Sequence, residues 1–239
     1  MNKLVFIFIL SVLGLTSSCG KGDCLDGDEY PRGAERKLEP FTEVRANLSA
    51  IIELVQDTSK KTPFVELIVE ENVQTHLATT VSNGVLDISL GFCFSSHKDI
   101  VVRVHYDSLN TITVNGPSDI ISKTKIVQDD LTLNINSSGS IDITTDVKNI
   151  TSNISGTGLI KINGQIVNHT INHNNSGSVN TYQTMTQNVF ANMNGSGNIY
   201  VRVQDSISAN ITNSGSIYFK GRPNTSTVIT GTGKLIDDN

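Results

Sequence analysis

A short glycine-centred phrase, flanked by Asn, Ser or Thr and closed by an aliphatic residue, recurs seven times from residue 115 onward. The copies are Asn115-Gly116-Pro117-Ser118-Asp119-Ile120, Ser137-Ser138-Gly139-Ser140-Ile141, Ser155-Gly156-Thr157-Gly158-Leu159 and Asn175-Ser176-Gly177-Ser178-Val179. Asn194-Gly195-Ser196-Gly197-Asn198-Ile199, Asn213-Ser214-Gly215-Ser216-Ile217 and Thr230-Gly231-Thr232-Gly233-Lys234-Leu235 complete the set. Counted between closing residues, the steps are 21, 18, 20, 20, 18 and 18. A fixed period of this size marks a stack of similar units in which each touches only its neighbours.

Between the phrases, apolar and polar residues alternate. Leu131, Leu133 and Ile135 are separated by Thr132 and Asn134, and Ile199, Val201 and Val203 by Tyr200 and Arg202. That is the period of a strand with one face inward, and helical spacing is nowhere sustained. The N-terminal half has the same texture, with candidate strands at 41–45, 50–56, 63–69, 76–81, 85–90, 100–105 and 111–114. Asn83-Gly84 reads as a hairpin turn between the fourth and fifth of these. The fold class is all-β. With 5% aromatics and no Trp, the core is narrow and filled by Ile, Val and Leu.

Glycine takes positive φ at little steric cost, so each phrase is read as a turn returning the chain to the core at constant phase. Two architectures fit: a parallel solenoid, or an antiparallel meander with the phrases at its hairpin tips. Further turn signals at Asp146 to Asn149, Asn163-Gly164 and 221–224 suit the meander. A meander, however, has no need of the same turn chemistry at one phase, whereas a stack does. The expected fold is therefore a single-stranded parallel β-helix of about 18–21 residues per coil, its seven repeats forming a rod about 30–35 Å long. With no linker or shift in composition, residues 39–239 form one domain.

The first residues read as an address. Lys3 precedes the apolar run Leu4 to Leu15, too short for a membrane span, and Thr16-Ser17-Ser18-Cys19 follows. Small residues before a Cys resemble the lipobox of bacterial lipoproteins, although Thr16 stands where an aliphatic residue is usual. The expectation is a signal peptide over 1–18, lipid on Cys19 and a tether over 19–38, acidic at Asp23, Asp26, Asp28 and Glu29. Gly20 in place of Asp favours the outer membrane, periplasmic or cell-surface facing. Membrane attachment then comes from acyl chains. The chain carries a formal net charge of −5, and loss of Lys3 makes it −6, which argues against nucleic acid as a partner. Once Cys19 is lipidated, Cys24 and Cys93 remain as an even pair in an oxidising compartment. They are expected to be bridged; the alternative is two thiols, with Cys93 buried as a small apolar residue.

Phe41-Thr42-Glu43-Val44, Ile52-Glu53-Leu54-Val55-Gln56 and Gly84-Val85-Leu86-Asp87-Ile88, followed by serial Ser-Gly-Ser-Ile units, resemble the head GIN domain family of auto-transporter adhesins. The similarity runs from about Phe41 to Leu235. It implies a right-handed parallel β-helix on secreted or lipid-anchored bacterial proteins, an early Cys paired with one later in the N-terminal half, and no catalytic residues to carry over.

A search for chemistry gives little. His169 and His173, four apart on a strand, share one face about 13 Å apart, too far for one metal ion, and are expected on the solenoid surface. His76, His97 and His105 are isolated. No metal, cofactor or catalytic set is expected. Around the closing residues only Asp119 and Asp142 form an acidic pair, the candidate site for a polysaccharide-lyase-like reading. Tyr200 and Tyr218 fall at equivalent positions one coil apart, with Tyr182 out of phase; they are a candidate surface binding strip or a stabilising ladder. The Asn-X-Ser/Thr sequons follow from the repeat. The leading reading is a lipid-anchored, non-catalytic envelope protein that binds a glycan or cell-surface protein, or serves structurally. Carbohydrate-active enzyme and carrier of a small apolar ligand are the alternatives.

Overall fold

Nine aliphatic residues line one column of the core in the computed structural model, which describes residues 24–28, 30–59 and 62–239. In spatial order they are Val102, Ile52, Ile120, Ile141, Ile160, Val179, Ile199, Ile217 and Leu235, each in parallel register with the next. All but Leu235, at the far end, are fully buried. A buried side chain of this size stabilises by about 1.5–3 kcal/mol, so the column is a main support of the stack. The proposed signal peptide over 1–18 and lipid site at Cys19 lie outside the described residues.

The N-terminal part comprises β1 (Leu25–Asp26), β2 (Pro31–Lys37), β3 (Glu43–Ala46), β4 (Ile51–Gln56), β5 (Phe64–Glu70), α1 (Glu71–Gln74), β6 (Leu77–Ser82), β7 (Val85–Leu90), β8 (Phe94–Ser96) and β9 (Val101–Tyr106). Each of the N-terminal candidate strands read from the sequence falls on one of these or on the next strand of the chain. The order of stacking is less legible. β3 and β4 form a coil lying between β7 and β9 on one side and later strands on the other. β5 runs antiparallel to β9, and β6 to β7 through the two-residue turn Asn83-Gly84, where both residues have positive φ. The N-terminal stretch is thus a cap wound out of chain order, not a further run of sequential coils. It also begins earlier than expected: within the segment read as a tether, β2 pairs antiparallel with β5 along its whole length. Charged residues together with Pro31 and Gly33 hid this strand, since it lies on the cap's outside with no buried residue. Cys24 and Cys93 form a disulfide, Cα–Cα 4.9 Å, beside the small parallel pair β1–β8.

The repeats form β10 (Thr111–Val114), β11 (Asp119–Ser122), β12 (Ile126–Ile135), β13 (Ser140–Ile154), β14 (Leu159–His173), β15 (Ser178–Met193), β16 (Asn198–Ile211), β17 (Ser216–Gly221), β18 (Asn224–Ile229) and β19 (Leu235–Asp237). Every pairing among them is parallel. The solenoid is therefore present and the meander is not. Each coil has three faces: one after the glycine phrase (140–143 in β13), one beyond a corner (145–149) and one leading to the next phrase (150–154).

Two expectations need correction. The third phrase closes on Ile160, not Leu159: Ile160 pairs with Ile141 and Val179 and is buried, while Leu159 pairs with Ser140 and Ser178 and is 40% exposed. The steps are then 21, 19, 19, 20, 18 and 18. Nor are the phrase glycines there for positive φ, which among the described glycines occurs only at Gly84, Gly164 and Gly221. Their reason is proximity. A Cβ on Gly158 would stand 2.0 Å from the Gly139 carbonyl oxygen, and one on Gly197 1.8 Å from that of Gly177. Successive corners lie so close that a side chain has no room.

Candidate binding surface

With the register known, the outward column on the first face reads Ile121, Asp142, Lys161, Asn180, Tyr200, Tyr218 and Ile236. Asp142, half of the acidic pair considered for catalysis, receives Lys161 Nζ at 2.8 Å from the next coil. Asp119 belongs to the neighbouring column and accepts a hydrogen bond from Ser140 Oγ. The two carboxylates occupy different columns, and each is engaged by the coil above it. Among the described residues no group of three or more His, Cys, Asp or Glu is placed to hold a metal ion.

Tyr200 and Tyr218 stand in register with rings stacked, centroids 5.0 Å apart and planes 17° from parallel. Tyr182 joins them, 5.5 Å from Tyr200 at 79°. Irregular register in β15 after Thr181 accounts for its being out of phase in the sequence yet beside them in space. Its hydroxyl donates to Asp238 Oδ2 at 2.8 Å, and Lys220 Nζ sits 4.7 Å from its ring centroid. Burial first, and then the Asp238 carboxylate, push this phenol's pKa up. Much of the ring surface is taken up by ring–ring and ring–cation contact, worth about 0.5–1.5 kcal/mol per aromatic pair.

His169 and His173 are not surface residues. His169 occupies the core column Leu131, Ile150, His169, Val189, Ile207, and His173 the column Ile135, Ile154, His173, Met193, Ile211. Both are at most 1% exposed. His169 Nε2 lies 2.9 Å from Ser152 Oγ, and His173 Nε2 donates to the Gly177 carbonyl at 2.7 Å. Burial lowers both pKa values, that of His169 to about 3, because the charged form cannot be solvated there. Counting 19 residues back from each reaches Ile150 and Ile154; that spacing was the available signal.

The asparagines were also missed. In one ladder Asn153 donates to Asn134, Asn172 to Asn153 and Asn192 to Asn172, at 2.8 to 3.0 Å. In a second, Asn149 donates to Asp130, Asn168 to Asn149 and Asn188 to Asn168, and Ser206 Oγ also donates to Asn188. A third links Asn136 to Asn115, Asn115 to Asn47 and Asn47 to Asp87 across the junction with the cap. An amide both donates and accepts, so it can bond to a copy of itself one coil away. Outward-facing Asn is thereby locked into a regular, largely uncharged surface.

The family model described as "Putative auto-transporter adhesin, head GIN domain" matches residues 40–223. A putative adhesin of Bacteroides fragilis NCTC 9343 superposes with a TM-score of 0.81 at 21% identity, over 88% of this chain and 98% of that one. A putative adhesin of Parabacteroides merdae ATCC 43184 gives 0.72 at 18% identity, over 89% and 99%. A putative lipid binding protein of Parabacteroides distasonis ATCC 8503 gives 0.69 at 19%, over 88% and 99%. At such identities the likeness is one of fold. No curated protein matches the chain.

Proposed function

The chain belongs to the head GIN domain family, and from that premise we propose that it is a lipid-anchored, non-catalytic envelope protein. Its solenoid offers a long, rigid surface to a glycan or a cell-surface protein. The adhesin label carried by the family and by its structural neighbours supports a place at the cell envelope or surface. Lipid on Cys19 would supply the anchor; acyl attachment needs more than one chain for stable binding, which a triacylated or diacylated N-terminus provides. The observation that carries the non-catalytic reading is the engagement of Asp142 by Lys161 and of Asp119 by Ser140. An acid or base for chain cleavage has to meet the substrate, and these oxygens already meet their neighbours in the stack.

The test is attachment of the purified protein to whole cells and to a glycan array, run beside incubation with acidic polysaccharides. Attachment without the appearance of unsaturated products is the expected result. Unsaturated products whose rate falls in the Asp119→Ala/Asp142→Ala variant would establish the enzymatic alternative. Protease treatment of intact cells separates surface from periplasmic display, and acyl-chain labelling that fails in Cys19→Ser confirms the anchor.

A further inference from the structure

We propose that a groove on the second face of the solenoid binds a neutral, unbranched glycan lying parallel to the solenoid axis. This rests on the reading of the chain as a binding module and specifies where and what it binds. The groove holds about 340 Å³. One wall is the column Val127, Asp146, Gln165, Met185, in register from β12 to β15. The other stands two residues further along each strand, where Lys148 and Gln187 line it. Between the walls, Val147 and Ile166 are buried and form the floor. The ladder Asp130, Asn149, Asn168, Asn188 runs directly behind the second wall and ties it together coil by coil.

Three features select the ligand. The first is free amides. Gln56, Gln74 and Gln128 all donate to backbone carbonyls, and the asparagine ladders use up their amides on one another. Gln165, Gln187 and Gln204 line the groove, and their side-chain amides make no hydrogen bond to any described residue. Amides that both donate and accept match hydroxyl groups, which do the same. The second is charge. Asp146 pairs with Lys125 at 2.8 Å and Lys148 with Asp129 at 2.9 Å, so the walls are neutralised in place and favour neither an anionic nor a cationic polymer. The third is exposed apolar surface beside those amides. Val127 is 58% and Met185 47% exposed, enough to cover the C–H faces of sugar rings. Coils repeat about every 4.8 Å along the axis, close to the rise per sugar of an extended β-linked chain, so successive sugars pass successive coils.

Calorimetric titration of the full-length chain tests this, using hexaoses of β-linked glucose, xylose and mannose, with oligogalacturonate and heparin oligosaccharide as charged arms. At least one neutral hexaose should bind more tightly than either charged probe. Gln165→Ala/Gln187→Ala should weaken that binding by about tenfold, the loss of one or two hydrogen bonds. Val167→Arg, which fills the groove without removing an amide, should weaken it as much, and Tyr200→Ala should leave it unchanged. Failure of all three neutral hexaoses to bind, tighter binding of a charged probe, or an unaltered affinity in the double glutamine variant would each overturn the assignment. Cell attachment is scored separately. Hexaose binding by a chain that does not attach to cells keeps the groove and removes the adhesive reading, and attachment without hexaose binding does the reverse.

Discussion

The cap, residues 24–106, and the stack, residues 111–237, build the same core columns from different materials. In the cap each side chain meets a different kind of neighbour. Arg103 lies between Glu53 and Glu66 at 2.8 and 2.7 Å, the Phe64 and His105 rings stack at 4.1 Å, and a disulfide fastens the N-terminal edge. In the stack a side chain meets the residue at its own position one coil away. Such a position has to suit a copy of itself. Isoleucine does so by packing, glycine by vanishing and asparagine by bonding to itself. A charge does not, since like charges about 4.8 Å apart repel. Acids in the stack therefore face a base or a neutral polar residue one coil away, as in Asp142 with Lys161, Asp129 with Lys148 and Asp130 with Asn149, and a column of carboxylates is the arrangement such a stack resists. The ends differ as well. Antiparallel β5 covers the cap's side, whereas every residue of β18 at the other end is exposed.

The sharpest way to break this contrast is to put a methyl group into the glycine column. Gly197→Ala should cost more than about 4 kcal/mol, because its Cβ would overlap the Gly177 carbonyl 1.8 Å away and backbone has to move. Gly33→Ala on the cap, with nothing within 4 Å, should stay within about 0.5 kcal/mol. Denaturant titration of both reads the difference, and equal costs would mean the corners are not stacked as described.

Next in size is the cap's own fastening. Cys24→Ser/Cys93→Ser opens a loop of 69 residues' separation, worth about 4 kcal/mol as an upper figure in the chain-entropy model. Hydrogen exchange should accelerate first in β1 and β8 and leave β13 to β16 protected. Loss of protection throughout would show that cap and stack open as one unit.

Mild acid probes the buried histidines of the stack. His169 has a folded-state pKa of about 3 against an ordinary 6.5, so between those values the unfolded chain holds the extra proton. Stability should therefore fall as pH drops below about 6.5, by about 1.4 kcal/mol per unit for this group. His173, lowered in the same direction, adds to the slope. His169→Val, matching Val189 in its column, should flatten the profile; an unchanged slope would mean that His169 is solvated.

The smallest effect belongs to the amide ladders. Asn172→Ala, in mid-ladder with a partner on either side, should cost about 1 kcal/mol. Asn136→Ala, at the exposed end of another ladder, should cost a few tenths.

Most of the stack was legible because self-compatibility leaves a trace at constant spacing. The period and the preference for parallel winding follow from residue type and position, as does, in the cap, the expectation of a Cys24–Cys93 bridge over two thiols. What failed did so for identifiable reasons. Leu159 reads as the closing residue because it follows a glycine directly. Alignment on Gly139, Gly158, Gly177, Gly197, Gly215 and Gly233 gives the right phase, since each lies two residues before the aliphatic of the core column. Polarity points His169 and His173 outward, but their columns, with Ile150 and Ile154 one coil below, make them core. β2 and the out-of-order coils of the cap were not legible, because their neighbours are set by pairing distant in sequence and not by a repeat. The groove was hidden for a similar reason: Gln165, Gln187 and Gln204 come from successive coils at unequal spacing, and only the register brings them to one face.

Distances along a single column test the central claim most directly. Spin labels at 119 paired in turn with 198, 216 and 234 report positions four, five and six coils apart. Stacked parallel coils predict separations of about 19, 24 and 29 Å, rising by one strand spacing at each step. Distances that do not grow with coil number would contradict the stack, and with it the groove and the account of the asparagine and glycine columns.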